Sequence, residues 1–200
     1  MKTLPFAAAA VASVLLGVLS GCVAPVGPVE VTRFHVPDTA RIGRGAVAVE
    51  PAPGMVGDSL EWRTYAAAVG RQLTLVGYRE QAAGTGDQVA YVRLQRQTYQ
   101  PQRNGSPVSV GVGGSTGSYG SGVGLGIGID LSGPPPAVVE TELAVTIKDR
   151  ATGQALWEGR SSFTVTEKSP LANSQLGAAK MAEALFKGFP GNSGETIQVK

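Results

Sequence analysis

Two hundred residues, with 17 Lys and Arg against 15 Asp and Glu, suffice for one domain with extensions and a sizeable core. A formal charge of +2 exerts no strong pull toward nucleic acid or anionic lipid. A single cysteine excludes an internal disulfide framework, and a single histidine excludes a multi-histidine metal site.

The chain opens as an export signal. Lys2 supplies the positive start, and Leu4 to Leu19 form an apolar run rich in Ala, Val and Leu. Its 16 residues fall short of the roughly 20 that span a bilayer and suit the apolar segment of a signal peptide. The run ends in Leu19-Ser20-Gly21-Cys22. Two small residues let the chain enter a peptidase cleft, and the cysteine sulfur can form a thioether to a diacylglycerol. These four residues resemble the lipobox of bacterial lipoproteins, which implies cleavage after Gly21 and an acylated Cys22 as the new N-terminus. Cleavage removes Lys2 and no acid, leaving 200 − 21 = 179 residues with 16 − 15 = +1 charge. One myristoyl-length chain anchors only marginally, at about 0.8 kcal/mol per buried methylene, whereas two or more hold firmly. Val23 stands where an Asp would resemble an inner-membrane retention signal. In a two-membrane envelope the expected location is therefore the outer membrane, facing the periplasm.

The expected organisation is a signal peptide over 1–21, an acylated cysteine with a Pro/Gly tether over 22–29, and one domain over 30–200. That domain carries a glycine-rich insertion over 105–136. Val29 to Val36 and Ala46 to Glu50 are rich in β-branched residues between Pro and Gly and read as strands. From Asp58 the period becomes helical. Asp58 and Glu61 have capping-box spacing, Trp62, Tyr65, Ala66, Val69, Leu73 and Val76 form a stripe, and Gly77 closes the helix. Gln88 to Gln97 alternates, with Ala90, Val92 and Leu94 on one face. Residues 138–166 read as a hairpin around Asp149-Arg150-Ala151-Thr152-Gly153, with Leu143, Val145, Ile147, Trp157 and Phe163 inward. Ser169-Pro170 supplies a cap for a second helix with Ala178, Ala182, Leu185, Phe186 and Phe189 on its buried stripe. Glu195 to Val199 is a short last strand. This order predicts an α+β fold, an antiparallel sheet with two helices packed on one face as a two-layer sandwich.

The insertion is patterned. Ten of the 23 residues from Gly111 to Gly133 are glycine, and Gly122, Gly124, Gly126 and Gly128 alternate with Val123, Leu125, Ile127 and Ile129. Val108, Val110 and Val112 offer a facing arm. The tract admits three readings: a flexible excursion, a glycine-faced hairpin for a partner or a second copy, or a hairpin that enters a membrane as part of a ring.

The search for chemistry yields no catalytic, cofactor or metal set. Gly113-Gly114-Ser115-Thr116-Gly117 matches the nucleophile-elbow pattern, but no helix comes after it and the single histidine, His35, lies far upstream. The tract contains no dinucleotide or P-loop fingerprint. Glu140 and Glu142 share a strand face at about 6.6 Å between Cα atoms, a spacing glycosidases use, yet they sit opposite an apolar face and read as solvated. Arg93, Arg96 and Arg103 with Tyr91 and Tyr99 read as the polar edge of a strand rather than a nucleic-acid strip, and no nucleic-acid partner is expected.

Several segments together resemble one bacterial lipoprotein family. They are the lipobox, Leu75-Val76-Gly77-Tyr78, the glycine-rich tract, Val145 to Gly153, Leu156-Trp157-Glu158-Gly159, and Leu185 to Thr196. The chain is similar over roughly 30–200 to the family catalogued as domain of unknown function 4136. The resemblance implies an α+β domain on a lipid anchor, and no activity. The expected role is thus a non-catalytic binding or accessory module of the cell envelope, held to the membrane through Cys22. Its partner would be another envelope protein or a second copy. The alternatives are a self-assembling structural component using the glycine-rich hairpin, and a periplasmic hydrolase using Ser115 or Glu140 and Glu142.

Overall fold

The computed structural model describes residues 27–102, 108–117, 120–129 and 135–200, the two middle stretches by their backbone. The signal peptide, the lipobox Leu19 to Cys22 and most of the tether lie outside the described residues.

The elements in chain order are β1 (Val29–His35), β2 (Ala46–Pro51), α1 (Leu60–Leu75), β3 (Arg79–Gln81), β4 (Gln88–Tyr99), β5 (Val108–Gly117) and β6 (Gly120–Ile129). Next come β7 (Val138–Asp149), β8 (Ala155–Thr166), one 3-10 turn (Pro170–Ala172), α2 (Ser174–Phe186) and β9 (Thr196–Val199). Seven strands form one sheet in the order β3-β2-β4-β7-β8-β1-β9. The sheet is larger than expected and is mixed: β2 runs parallel to both β3 and β4, and the remaining pairs are antiparallel. The expectation of a purely antiparallel sheet is therefore corrected. Between β2 and β4 the chain crosses over through α1, and a helical crossover returns a strand parallel to the one it left.

One face of this sheet carries the core. Along β7, Val139, Thr141, Leu143, Val145, Ile147 and Asp149 are buried, while alternate positions are half-buried or exposed. α1 contributes Trp62, Tyr65, Val69 and Leu73, and α2 contributes Ala178, Met181, Ala182 and Leu185, to the same cluster as the apolar residues of this strand. Each large aliphatic or aromatic side chain withdrawn from water here stabilises the fold by roughly 1.5–3 kcal/mol. Trp62 also satisfies its ring N–H by donating to the Val92 carbonyl at 3.2 Å, which docks α1 on β4.

The helix starts differ from the sequence expectation. Ser59, not Asp58, caps α1 by accepting the Trp62 N–H at 3.0 Å. Glu61 is thereby free of the cap and reaches Arg96 at 2.5 Å. Ser169 and Pro170 open the 3-10 turn, and α2 starts afresh with Asn173 accepting the Gln175 N–H at 2.9 Å. α2 ends at Phe186, so Phe189 packs from the segment after the helix rather than from the helix itself. Gly77 lies just past the end of α1 at φ +108, a conformation that favours glycine.

The register defines two ends of the sheet. At one end Thr166 pairs with Val138, which pairs with Tyr99, and β1 enters nearby, with Glu30 opposite Ser162. The tether and both stems of the glycine-rich insertion therefore meet the domain at the same end. At the other end lie the 149–153 turn and the loops 36–45, 82–87 and 188–194. β5 and β6 pair antiparallel as a separate two-stranded ribbon, with Val108, Val110 and Val112 opposite Ile129, Ile127 and Leu125. No helix among the described residues is long and apolar enough to cross a membrane.

Candidate functional site

The end of the sheet away from the tether gathers residues that are far apart in sequence. Asp149 closes the turn by accepting the Thr152 N–H and the Thr152 hydroxyl, each at 2.8 Å, and it pairs with the Arg41 guanidinium. The two Thr152 bonds, then Arg41, favour the ionised carboxylate and hold it down to about 2. Arg150, the next residue, bonds the Gly86 and Thr85 carbonyls at 3.1 Å and Glu50 at 2.7 Å. Burial alone would raise the Glu50 carboxyl. The bond from Arg150, helped by the Gly84 N–H, outweighs burial and holds it below the ordinary carboxylate value. Buried Gln88 fastens the 41–44 loop, donating to the Arg41 carbonyl at 3.1 Å and the Arg44 carbonyl at 3.0 Å while accepting from the Tyr78 hydroxyl at 3.3 Å.

These contacts wall a cleft of about 630 Å³ lined by Arg41, Arg44, Asp87, Gln88, Asp149 and Arg150, among others. Arg41 and Arg150 hold structural carboxylates, and Arg44 is exposed at the rim. The lining offers guanidinium, amide and carboxylate groups for binding.

An aromatic cluster braces this end. Trp157 donates its ring N–H to the Pro190 carbonyl at 3.0 Å and stacks on Phe186 at 5.3 Å between centroids. Phe189 leans on Trp157 at 5.1 Å and meets Tyr78 edge-on at 6.3 Å. Arg33 is buried and donates to the Leu185 and Ala184 carbonyls at 3.0 and 3.1 Å. A cation thus closes the C-terminus of α2, where the helix dipole favours one. Burial lowers the Arg33 guanidinium, with Glu195 opposing. His35 lies at the end of β1, one strand in from the edge, with its ring nitrogens on the Val36 and Gly191 carbonyls at 2.7 and 3.2 Å. Both contacts are to backbone, so the histidine ties the 188–194 loop to the sheet.

The residues singled out from sequence are dispersed. Glu140 and Glu142 lie on the helix-free face, where Glu142 pairs with Arg160 at 3.1 Å and Glu140 is exposed. Ser115 stands within β5 opposite Gly122, and the next element is a second strand, not the helix an elbow requires. Arg93, Tyr91 and Tyr99 share the helix-free face. Arg96 is on the other one, bonded to Glu61 and to Ser174 at 2.9 Å, so the basic-aromatic strip does not form. Arg103 and Cys22 lie outside the described residues. Among the described residues no group of three His, Cys, Asp or Glu side chains is placed to hold a metal ion. The sequence reading missed Arg41, Arg44 and Gln88. Gln88 alone had a signal, a polar residue opening the inward alternation of Ala90 and Val92.

An uncharacterized protein of Zymomonas mobilis subsp. mobilis, ZMO1243, is 30% identical over a gapped alignment 217 positions long that takes in 86% of this chain and 80% of that one. A crystal structure of a PDZ domain protein from Parabacteroides distasonis is similar at a TM-score of 0.49 and 10% identity, over 86% of this chain and 39% of that one. This chain thus spans about two fifths of that protein's length. A PelC dodecamer from Paraburkholderia phytofirmans is similar at a TM-score of 0.40 and 13% identity, over 78% of this chain and 96% of that one. At these scores neither structure supports an argument about this chain. Four of the six segments on which the family resemblance rests, Leu75 to Tyr78, Val145 to Gly153, Leu156 to Gly159 and Leu185 to Thr196, run into the end of the sheet described above, whereas the glycine-rich tract joins the opposite end and the lipobox lies outside the described residues. Residues 44–191 match the model of one family, and the chain belongs to it: the Domain of unknown function (DUF4136) family.

Proposed function

We propose that this protein is a lipid-anchored, non-catalytic binding module of the bacterial cell envelope, held at the outer membrane through Cys22 and facing the periplasm. Its contact surface is the cleft bordered by Arg41, Arg44 and Arg150. The observation that carries this reading is the cleft at the end of the sheet away from the tether, where side chains distant in sequence meet and where four of the six family-like segments also run. β7 has 12 residues, so the sheet sets this end about 35 Å from the opposite one at a rise of ~3.3 Å per residue. Anchoring confines such a surface to one compartment and raises its effective concentration toward partners there. Thr152 and Arg41 hold Asp149 in its ionised form, in which it is a poor proton acceptor near neutrality, and this supports a binding role for that residue.

The test is photo-crosslinking in intact cells, with the full lipidated chain carrying the crosslinker in place of Arg44 or, as a control, Gln95 on the helix-free face. The reading predicts one reproducible envelope partner captured from position 44 and little from position 95. Equal capture from both positions, or capture of further copies of this chain alone, would overturn it.

A further inference from the structure

The β5–β6 ribbon has an unusual division of residues. Between Val108 and Ile129 the chain contains no charged residue. The pairing register places Val108, Val110, Val112, Leu125, Ile127 and Ile129 on one face. The opposite face has glycine at 111, 113, 124, 126 and 128, with Ser109 beside them. A lone two-stranded hairpin is marginal in water, and an aliphatic face of this extent requires cover.

The topology says what lies nearest. The stems of the ribbon leave and rejoin the sheet at Tyr99 and Val138, which are paired, and β1 enters at that same end. Cys22 precedes Val29 by seven residues, a reach of at most about 25 Å for extended chain. The linkers 100–107 and 130–137 are long enough for a similar reach. A bilayer holding Cys22 therefore sits within reach of the ribbon.

Magnitude decides between lying on that bilayer and crossing it. The aliphatic row from Val123 to Ile129 covers six steps, about 20 Å before any tilt, against the ~25 Å apolar band of a transmembrane barrel wall. A single hairpin also has two open edges whose amides find no partner in hydrocarbon. At the interface those edges and the glycine face remain hydrated, as an interfacial amphipathic element requires.

We propose that the β5–β6 ribbon lies with its aliphatic face against the bilayer that holds Cys22. The ribbon is then a second attachment that fixes the domain's orientation and points the Arg41–Arg150 cleft away from the membrane. The proposal rests on the lipid-anchor reading above.

The experiment uses the full lipidated chain in vesicles of phosphatidylethanolamine and phosphatidylglycerol. Single cysteines at Val110→Cys, Ile127→Cys, Gly126→Cys and Ala151→Cys carry an environment-sensitive fluorophore, and nitroxide lipids act as quenchers. Labels at 110 and 127 are expected to be quenched at least threefold more than those at 126 and 151, and more by headgroup than by mid-chain nitroxides. Weak quenching at 110 and 127, whether from exposure to water or from shielding by further copies of the chain, overturns the proposal. Stronger quenching by mid-chain nitroxides overturns it in favour of a spanning hairpin. Flotation and the mass of the N-terminal peptide report the anchor separately. Retained flotation without quenching condemns the ribbon contact alone, whereas an unlipidated chain that does not float overturns the anchor and this proposal with it.

Discussion

Gly159, the last residue of the Leu-Trp-Glu-Gly segment, offers a quantitative test of the packing at the braced end. A methyl group at this position would lie 2.8 Å from Leu185 Cδ1 and from Trp157 Cζ2, and nearer still to Trp157 Cη2. Both neighbours are fully buried, and the indole is pinned by its bond to Pro190 and its stack on Phe186, so neither can swing aside. Overpacking of a rigid core site costs typically ~1–3 kcal/mol, and Gly159→Ala should fall near the upper value. Trp157→Phe removes the clashing ring edge, and it should itself cost about 2 kcal/mol through the space left and the lost N–H bond. The double variant should then be more stable than the sum of the singles by about 1 kcal/mol or more. Urea unfolding of the purified mature chain, monitored by circular dichroism, measures each step. A cost for Gly159→Ala under about 0.5 kcal/mol, or strict additivity in the cycle, would refute the packing argument. Gly70 in α1 is the built-in contrast. A methyl there meets the Glu80 carboxylate at 2.6 Å, but Glu80 is exposed and can move. Gly70→Ala should therefore be neutral or gain up to ~1 kcal/mol in helix propensity.

Other residues give further predictions. The Asp149 carboxyl titrates lower in the folded chain than its ordinary value of 3.8, so its stabilisation is present above that value and is lost as pH falls through about 2. Asp149→Asn should lower stability at pH 7 and flatten the dependence on pH between about 4 and 2, read from acid-unfolding curves. An unchanged acid limb would contradict the assignment. Arg33→Lys keeps the charge but cannot donate in the same fork to the Leu185 and Ala184 carbonyls. It should cost about 1–3 kcal/mol in thermal or urea unfolding, and faster amide exchange should be confined to the last turn of α2.

The strands with one solvated and one buried face were legible because alternation writes itself into the residues. β4, β7 and β8 keep apolar and polar positions in turn, and their expected inward residues lie on the core face. β3 left no such mark, since Arg79, Glu80 and Gln81 are all exposed and three residues carry no period. The direction of β2 was equally invisible, because a strand's own side chains do not record whether its neighbours run with it or against it. Arg96 was misassigned although its position was available: it stands three residues from Arg93, an odd interval that reverses the face on a strand. The cleft itself lay beyond sequence reasoning. Arg41 meets Asp149 across 108 residues of chain, Gln88 meets Arg41 across 47, and Arg150 meets Glu50 across 100. Nothing local in any of them announces the others.

The central claim is that the chain is held to a membrane by one end and presents the other. Mass spectrometry of the N-terminal peptide, from protein purified out of membranes, tests it most directly. The account predicts a peptide that begins at Cys22 and carries a diacylglyceryl thioether, absent from a Cys22→Ser variant that leaves the membrane fraction. A peptide beginning elsewhere, or a free thiol at Cys22, would contradict it.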